Sequence, residues 1–551
     1  MRHRKWFVFA ALLMCILLVP GAPAVGKASV PPPVKMGQEG GVVSTTTDPP
    51  GTWYLGATPP NADPSKPPIV FVQGLNGTAE SWWEDTVYHG HNDMYEDAYY
   101  AGYRTAFLQL WDASGNGGAS MWDNGQLLAG LLRQISQYFG QPVNVVAHSK
   151  GGIDTQTALV YYGASPYVGK VITLASPHHG SHLADLAYSW YAGWLADLLG
   201  VKSDGVYVLQ TGYMDQFRSD TDGRAEVSNN PFYTAAGTNW GPFPSALWTG
   251  GAYLSVHGSN DGLVNVWSTQ LPYATHIFTE NFDHDFIRTG TASFNRIEPL
   301  LRTGKTAMTV EPASHASATK NRVQAAAPPQ QVVRGQSLPA GQTVTETVPV
   351  ESGNAEVVFN VMTGHGGAQV TLESPTGQIY NSQSPQYFTG VDQGIFRNAN
   401  INAFRIAQPA AGNWKVRIQN SVDDAYLMTV TYTTSSGLQY QIHPVKGKTV
   451  AYTVKVMPSA SSARWDRWNV RVRVVPPSAQ TATAMNQQRM EMRLVPSRQA
   501  GGFVGTLPVF TQTGVYNVTV DVSGWTPDGH PFARTWIESL YVPGQASSMK
   551  R

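Results

Sequence analysis

The chain has 551 residues, more than one hydrophobic core organises, so roughly two to four domains are expected. Lys+Arg and Asp+Glu are both 37, a net charge of zero that excludes the basic footprint of a nucleic-acid binder and lends no support to a strongly charged substrate. Gly 54 and Pro 37 beside only 13% charged residues suit a loop-rich, β-rich extracellular chain.

The N-terminus reads as an address rather than as fold. Met1 to Lys5 is basic, Trp6 to Val19 is apolar, and Ala22-Pro23-Ala24 offers a small-residue cleavage site, so residues 1–24 are expected to be a secretory signal peptide. The apolar run is too short for a permanent membrane span. Cys15, the only cysteine, lies inside it; the mature chain would then carry no disulfide and no thiolate. Residues 25–64, broken by Pro31-Pro32-Pro33 and Pro49-Pro50, read as an N-terminal extension, linker or propeptide.

From residue 65 to 302, strands alternate with helices, which predicts a mainly parallel sheet covered on both faces. The expected strands are Ile69–Val72, Arg104–Leu110, Val143–Val146 and Lys170–Ala175. The expected helices are Asp93–Ala101 and Asp123–Phe139, the second with Leu127, Leu128, Leu131, Leu132 and Ile135 on one face. His89, His91 and Asp93 place three potential metal ligands in five residues, against the alternative of a solvated loop. The run Ala147-His148-Ser149-Lys150-Gly151 joins a buried strand to a helix from Gly152 to Tyr162, with a serine at the corner. Small residues at 147 and 151 let strand and helix approach, so Ser149 Oγ would stand exposed at the strand's carboxyl end.

A serine hydroxyl is a poor nucleophile at neutral pH and needs a histidine base oriented by a carboxylate. Asp261, in the turn Ser259-Asn260-Asp261-Gly262 after the apolar run Tyr253–Val256, is the expected acid. His284, in Phe282-Asp283-His284-Asp285 after a strand His276–Thr279, is the expected base. Alone, Asp261 reads as an Asx turn and His284 as a helix N-terminal residue; the three in this order read as a triad. Ser176-Pro177-His178-His179-Gly180-Ser181-His182 carries three histidines but reads as a hydrogen-bonded turn at a pocket floor rather than as a metal site. Leu183 to Leu199 reads as one helix with Leu183, Leu186, Ala187, Trp190, Trp194 and Leu198 on a single face, either a lid or acyl-binding wall or a core helix on the sheet. Trp82, Trp83 and Trp240 are expected to line an apolar acyl pocket, against plain packing.

Residues 303–334 turn into an Ala/Ser/Pro/Gln-rich linker, across which few packed contacts are expected. Beyond it, helical periodicity gives way to short alternating strands, among them Ala355–Val361, Trp414–Ile418 and Leu427–Tyr432, then Val450–Val456, Asn469–Val475, Val515–Val522 and Trp536–Val542. Two all-β sandwiches are predicted, over 335–435 and 436–545, the second Ig-like.

Residues 65 to about 300 resemble the bacterial secreted lipases and esterases of the α/β-hydrolase superfamily, on the Ala-His-Ser-x-Gly elbow, the Asn-Asp-Gly-x-Val acid loop and the Asp-His base loop. The Gln73-Gly74-Leu75 run resembles the family's His-Gly-x strand end, with Gln for His, and implies that the backbone N–H groups of Leu75 and Lys150 hold the oxyanion. The resemblance implies an ester lipid substrate, an acyl-enzyme intermediate and no required cofactor. Zinc near His89 and calcium near Asp283 and Asp285 are structural options seen among similar lipases. A polyester depolymerase with the same triad and a non-catalytic surface adhesin are the alternatives; the sandwiches are expected to dock on a surface or polymer.

Overall fold

The computed structural model describes residues 29–36, 48–113, 118–304, 330–392, 396–432, 438–444, 452–458, 467–479, 481–499, 502–526 and 529–544. The expected signal peptide and most of the expected linker lie outside them. No helix among the described residues is long and apolar enough to cross a membrane.

The first two strands come from a segment that reads as mere extension. Val34–Met36 (β1) and Trp53–Leu55 (β2) pair antiparallel along one edge of the main sheet. Three-residue strands between prolines are too short for a period to show, and prolines are tolerated at an edge. Ile69–Val72 (β3), the helix Met94–Tyr100 (α1), Thr105–Leu108 (β4), Met121–Phe139 (α2), Val143–His148 (β5), Lys150–Tyr161 (α3) and Val168–Leu174 (β6) follow as the alternation predicts. Ser120 caps α2 by accepting from Asp123 N–H, and Gly140 ends it in the left-handed region at φ 70°.

The stretch Leu183–Leu199 is not one helix. It is His182–Ala187 (α4) and Gly193–Leu199 (α5), separated by a turn, and then Asp204–Val208 (α6) and Thr211–Thr221 (α7). Phe232–Gly237 (β7), Ala246–Leu254 (α8), Thr275–Glu280 (β8) and Gly290–Leu301 (α9) complete the unit. Tyr253–Val256 therefore spans the end of α8 and the start of the 3-10 turn Ser255–His257, and the strand before the acid loop is β7. The eight strands run in the order β1-β2-β4-β3-β5-β6-β7-β8, parallel from β4 to β8. Leu128, Leu132 and Ile135 of α2 bury one face with Leu159 of α3, and Met94, Ala98, Phe294 and Ile297 of α1 and α9 bury the other. This is the predicted α/β-hydrolase layering, with chemistry at the carboxyl ends of the strands.

The first sandwich begins inside the stretch read as linker. Its strands are Gln330–Leu338 (β9), Thr343–Val350 (β10), Glu356–Thr363 (β11), Gln369–Glu373 (β12), Ile379–Tyr380 (β13), Tyr387–Val391 (β14), Asn400–Ala407 (β15), Gly412–Gln419 (β16) and Asp424–Tyr432 (β17). They form sheets β10-β16-β12-β13 and β14-β15-β11-β17-β9 around Phe359, Trp414 and Tyr426. The second has Leu438–Pro444 (β18), Tyr452–Pro458 (β19), Asn469–Val475 (β20), the helix Ala482–Gln488 (α10), Met490–Arg493 (β21), Val495–Ser497 (β22), Gly502–Thr506 (β23), Gly514–Trp525 (β24) and Pro531–Val542 (β25). Its sheets are β18-β19-β23-β22 and β21-β20-β24-β25.

The expectation of few contacts between these domains is overturned. Leu183, Leu186, Ala192 and Leu195 of the hydrolase share one core with Val333, Met362 and Leu427 of the first sandwich and Val515 and Ile537 of the second. Polar ties reinforce it: Tyr191 Oη donates to Asp521 at 2.9 Å, Asn517 donates to the Asp185 carbonyl at 2.7 Å, and Ser539 Oγ donates to Asp185 at 2.6 Å. Arg334 and Arg473 both lie over the Tyr191 ring. The apolar face at 183–199 is thus neither a free lid nor a core helix on the sheet; it is the seat of the sandwiches. A chain ending at residue 304 bares that seat and is expected to bind a hydrophobic dye and aggregate. A soluble, monomeric fragment with unchanged dye binding would show the seam to be incidental.

Candidate active site

The segment β5–Ser149–α3 makes a sharp corner. Ser149 adopts φ 53° and ψ −132°, strained for an L-residue, and its side chain is only partly buried. Two glycines make the corner possible. A Cβ on Gly151 would stand 2.2 Å from the Gln73 carbonyl oxygen, and one on Gly74 would stand 2.8 Å from Ser149 Cβ. The β3 end carrying Leu75 is thereby pressed against the serine. Gln73 Nε2 donates to the Gly77 carbonyl at 3.0 Å, bracing that turn.

The structure brings Asp261 and His284 together. Their loops follow the neighbouring strands β7 and β8, and His284 Nδ1 lies 2.8 Å from Asp261 Oδ2. The His284 backbone N–H donates to the Asp261 carbonyl at 2.9 Å. Asp261 Oδ1 accepts from Leu263 N–H at 3.0 Å and Val264 N–H at 2.8 Å, so both carboxylate oxygens are aimed. Asp261 is 1% exposed and His284 5% exposed, a dry pairing that fixes the orientation of the imidazole. The His284 loop is tied to the serine corner through His148, whose Nε2 lies 2.9 Å from the His284 carbonyl, with the two rings 4.6 Å apart. Burial, and then the neighbouring His284 and Arg288, push His148 well down, so it stays neutral.

The rival carboxylates are engaged elsewhere. Asp283 pairs with His89 Nε2 at 2.7 Å and caps its own turn through the Asp285 and Phe286 N–H groups. Asp285 accepts from Arg288 at 2.7 Å and from Tyr88 N–H at 2.9 Å.

One network went unseen in the sequence. Lys150 is fully buried, with Nζ 2.9 Å from both Asp112 and Asp154, and Asn124 bridges the two carboxylates. Burial alone would lower the Lys150 ammonium; the two carboxylates overrule it and hold it raised. Burial pushes the Asp154 carboxyl up against the pull of Lys150. The sequence signal was an i,i+4 Lys–Asp pair on a helix with no exposed face. The network anchors the residue whose N–H is the expected oxyanion donor. Lys150→Met leaves two buried carboxylates without their cation, and should cost about 3–5 kcal/mol of stability in denaturant titration. Asp112→Asn with Asp154→Asn added should recover part of that loss.

Other expected positions scatter. Trp82 is 1% exposed and packs on Phe71 at 5.0 Å, and Trp83 packs on Phe107 at 4.9 Å; both belong to the core under the sheet rather than to an acyl pocket. Trp240 lies against Gly251 of α8 and Trp248. Trp190 sits under the Arg489 guanidinium, Trp194 packs on the shared core, and Leu198 abuts Gly364 of the first sandwich. His89, His91 and Asp93 do not converge: they pair with Asp283, Glu96 and Thr291 respectively. His178 bonds to the nearby Thr173 and His179 to the distant Gln270 carbonyl.

No protein-family model and no curated protein matches the chain. Among solved structures, Bacillus licheniformis lipase BlEst2 in its propeptide form is 35% identical, over 90% of this chain and 98% of that one, with a TM-score of 0.72. BlEst2 in its mature form is 48% identical over 46% of this chain and 100% of that one, with a TM-score of 0.43. The parallel sheet, the serine corner and the end-to-end likeness agree, and the chain belongs to the family of α/β-hydrolase lipases that includes Bacillus licheniformis BlEst2: it is an ester hydrolase.

Proposed function

We propose that the chain is a secreted lipase that cleaves acylglycerol esters through an acyl-enzyme on Ser149. Ser149 Oγ attacks the ester carbonyl while His284 takes its proton. The Leu75 and Lys150 N–H groups receive the oxyanion, where one donor is typically worth about 2.7–4 kcal/mol. The C–O bond then breaks, and His284 returns the proton to the leaving alkoxide. Water, deprotonated by His284, releases the fatty acid and restores Ser149. The observation that carries this reading is the buried Asp261–His284 pair at 2.8 Å beside the strained serine corner. The leader-like residues 1–24 support export. A fluorophosphonate probe followed by peptide mapping tests the nucleophile: the adduct is expected on Ser149, and an adduct elsewhere refutes the assignment. Rates on p-nitrophenyl esters of graded length, tributyrin and polyester film separate a lipase from a polyester depolymerase.

The sandwiches are read as a cover retained by the hydrolase, in place of freely tethered docking modules. Their shared core with α4 and α5 supports this, and the relative matched along most of its length is described in a propeptide form. Limited proteolysis in the Ala/Ser/Pro/Gln-rich stretch 305–329 should therefore change tributyrin turnover once the sandwiches are displaced. Unchanged turnover after their removal would leave them a role away from the site.

A further inference from the structure

Two imidazoles and a carboxylate meet at the seam between the hydrolase and the last sandwich. His182 opens α4, His257 closes the 3-10 turn after α8, and Glu538 lies on β25. Each offers a donor atom, and these atoms all lie within 4.8 Å of one another. Both histidines are buried, and the Glu538 side chain is 22% exposed. The imidazoles stack with centroids 3.6 Å apart and planes at 17°, and His182 Nδ1 is 3.8 Å from Glu538 Oε2.

The surroundings hold this set in place. Asp185 Oδ2 lies 2.9 Å from His182 Nδ1, the outer carboxylate that metal-ligating histidines commonly keep. With Nδ1 held by Asp185, Nε2 of His182 is the ring nitrogen that would turn to a metal. Asp185 is itself fixed by Thr211 N–H at 3.0 Å, Thr211 Oγ1 at 2.7 Å and Ser539 Oγ at 2.6 Å. Because Ser539 follows Glu538, that contact also sets the position of the carboxylate against α4. A separate observation points to a missing polar partner. The Tyr253 hydroxyl is fully buried with no hydrogen-bond partner among the described residues, and its ring lies 6.3 Å from that of His257. Burial, then the charges of Asp185 and Glu538, keep this phenol protonated, so it is a donor facing a negative neighbourhood.

We propose that His182, His257 and Glu538 form a zinc site that clasps the last strand of the C-terminal sandwich to the hydrolase. Two imidazoles and one carboxylate suit Zn²⁺, whereas Ca²⁺ seeks about six to eight oxygens. A water in the fourth position gives the Tyr253 hydroxyl a partner. Donors around a tetrahedral zinc at about 2.0–2.1 Å sit roughly 3.3 Å apart, so the set draws in by about an ångström. Parallel rings aim their lone pairs side by side, so one ring turns and the stack opens on binding. Since the ligands come from two domains, metal affinity adds to the docking of the sandwich.

The full chain, stripped with chelator and dialysed against micromolar Zn²⁺, should retain about one zinc per molecule. With Co²⁺ it should show the visible absorption of a four-coordinate site. Glu538→Gln and His257→Gln should each weaken zinc binding by at least about 100-fold, more than the loss of an outer partner. Each metal-free variant should match the metal-free wild type in thermal midpoint, so that lost binding is not lost folding. Glu538→Asp should keep the cobalt spectrum, and His91→Gln should leave zinc affinity unchanged. Zinc should raise the thermal midpoint of the wild type and not of the Gln variants. No zinc retained by the wild type, or equal affinity in the wild type and both Gln variants, overturns the proposal.

Discussion

Replacing Ser149 by Ala is expected to lower ester turnover by a factor on the order of 10⁶, down to the residual catalysis that oxyanion stabilisation and binding alone supply. On the proposed mechanism the removed Oγ is the bond-forming atom, and a histidine-activated water in its place would have to cross an unsplit barrier. Stability should barely move. Alanine keeps the Cβ that meets Gly74 and bears the same strained backbone at φ 53°, and the corner is held by Ser149 N–H donating to Leu174 at 3.0 Å, a bond alanine also makes. The measurement is kcat on p-nitrophenyl butyrate beside a melting curve. Turnover within tenfold of wild type in a folded protein would remove Ser149 from the chemistry.

The second large effect is at the acid. Asp261→Asn should reduce kcat by about 10⁴-fold. The amide keeps Oδ1, so the bonds from Leu263 and Val264 N–H survive and the loop keeps its shape. Its NH₂ group now faces His284 Nδ1, which must turn acceptor, leaving the proton on Nε2 where the serine needs a base. Asp283→Asn is the control. That carboxylate is turned to His89 and caps its own turn, so its loss should reach stability before turnover. If Asp283→Asn were the crippling change and Asp261→Asn mild, the base would be oriented from the wrong side of this account.

The legible parts of the chain were those with local physics. The serine between Ala147 and Gly151 at a strand–helix junction, the helix Met121–Phe139 with its serine cap and glycine stop, and the alternating sandwich strands carry their signal within a few residues. The meeting of Asp261 with His284 was foreshadowed by their order along the chain, although the apolar run before Asp261 lies in the end of α8 and the 3-10 turn after it, and the preceding strand is β7. Phe232–Gly237 is short and ends in small residues, while the end of α8 is apolar enough to pass for a strand. What stayed hidden depends on distant partners. Lys150 reads as a surface residue until Asp112 and Asn124 arrive around it. Trp82 and Trp83 carry no mark telling a pocket wall from a core under the sheet. Composition alone likewise could not show that residues beyond the linker would bury the 183–199 face, because amphipathic periodicity names a buried side without naming what buries it.

The bond from Ser539 to Asp185 spans 354 positions of the chain and touches one of its last strands. A ribosome adding about 5–20 residues per second takes about 20–70 s to cover that span. Throughout it, Leu183, Leu186 and Leu195 have been made and their cover has not. Closing so long a loop is slow in its own right, and the half-finished molecule shows an apolar face to every neighbour. Changes on β25 should therefore be felt first in the yield of native protein per chain synthesised. Their effect on the rate at which each native molecule works would come second.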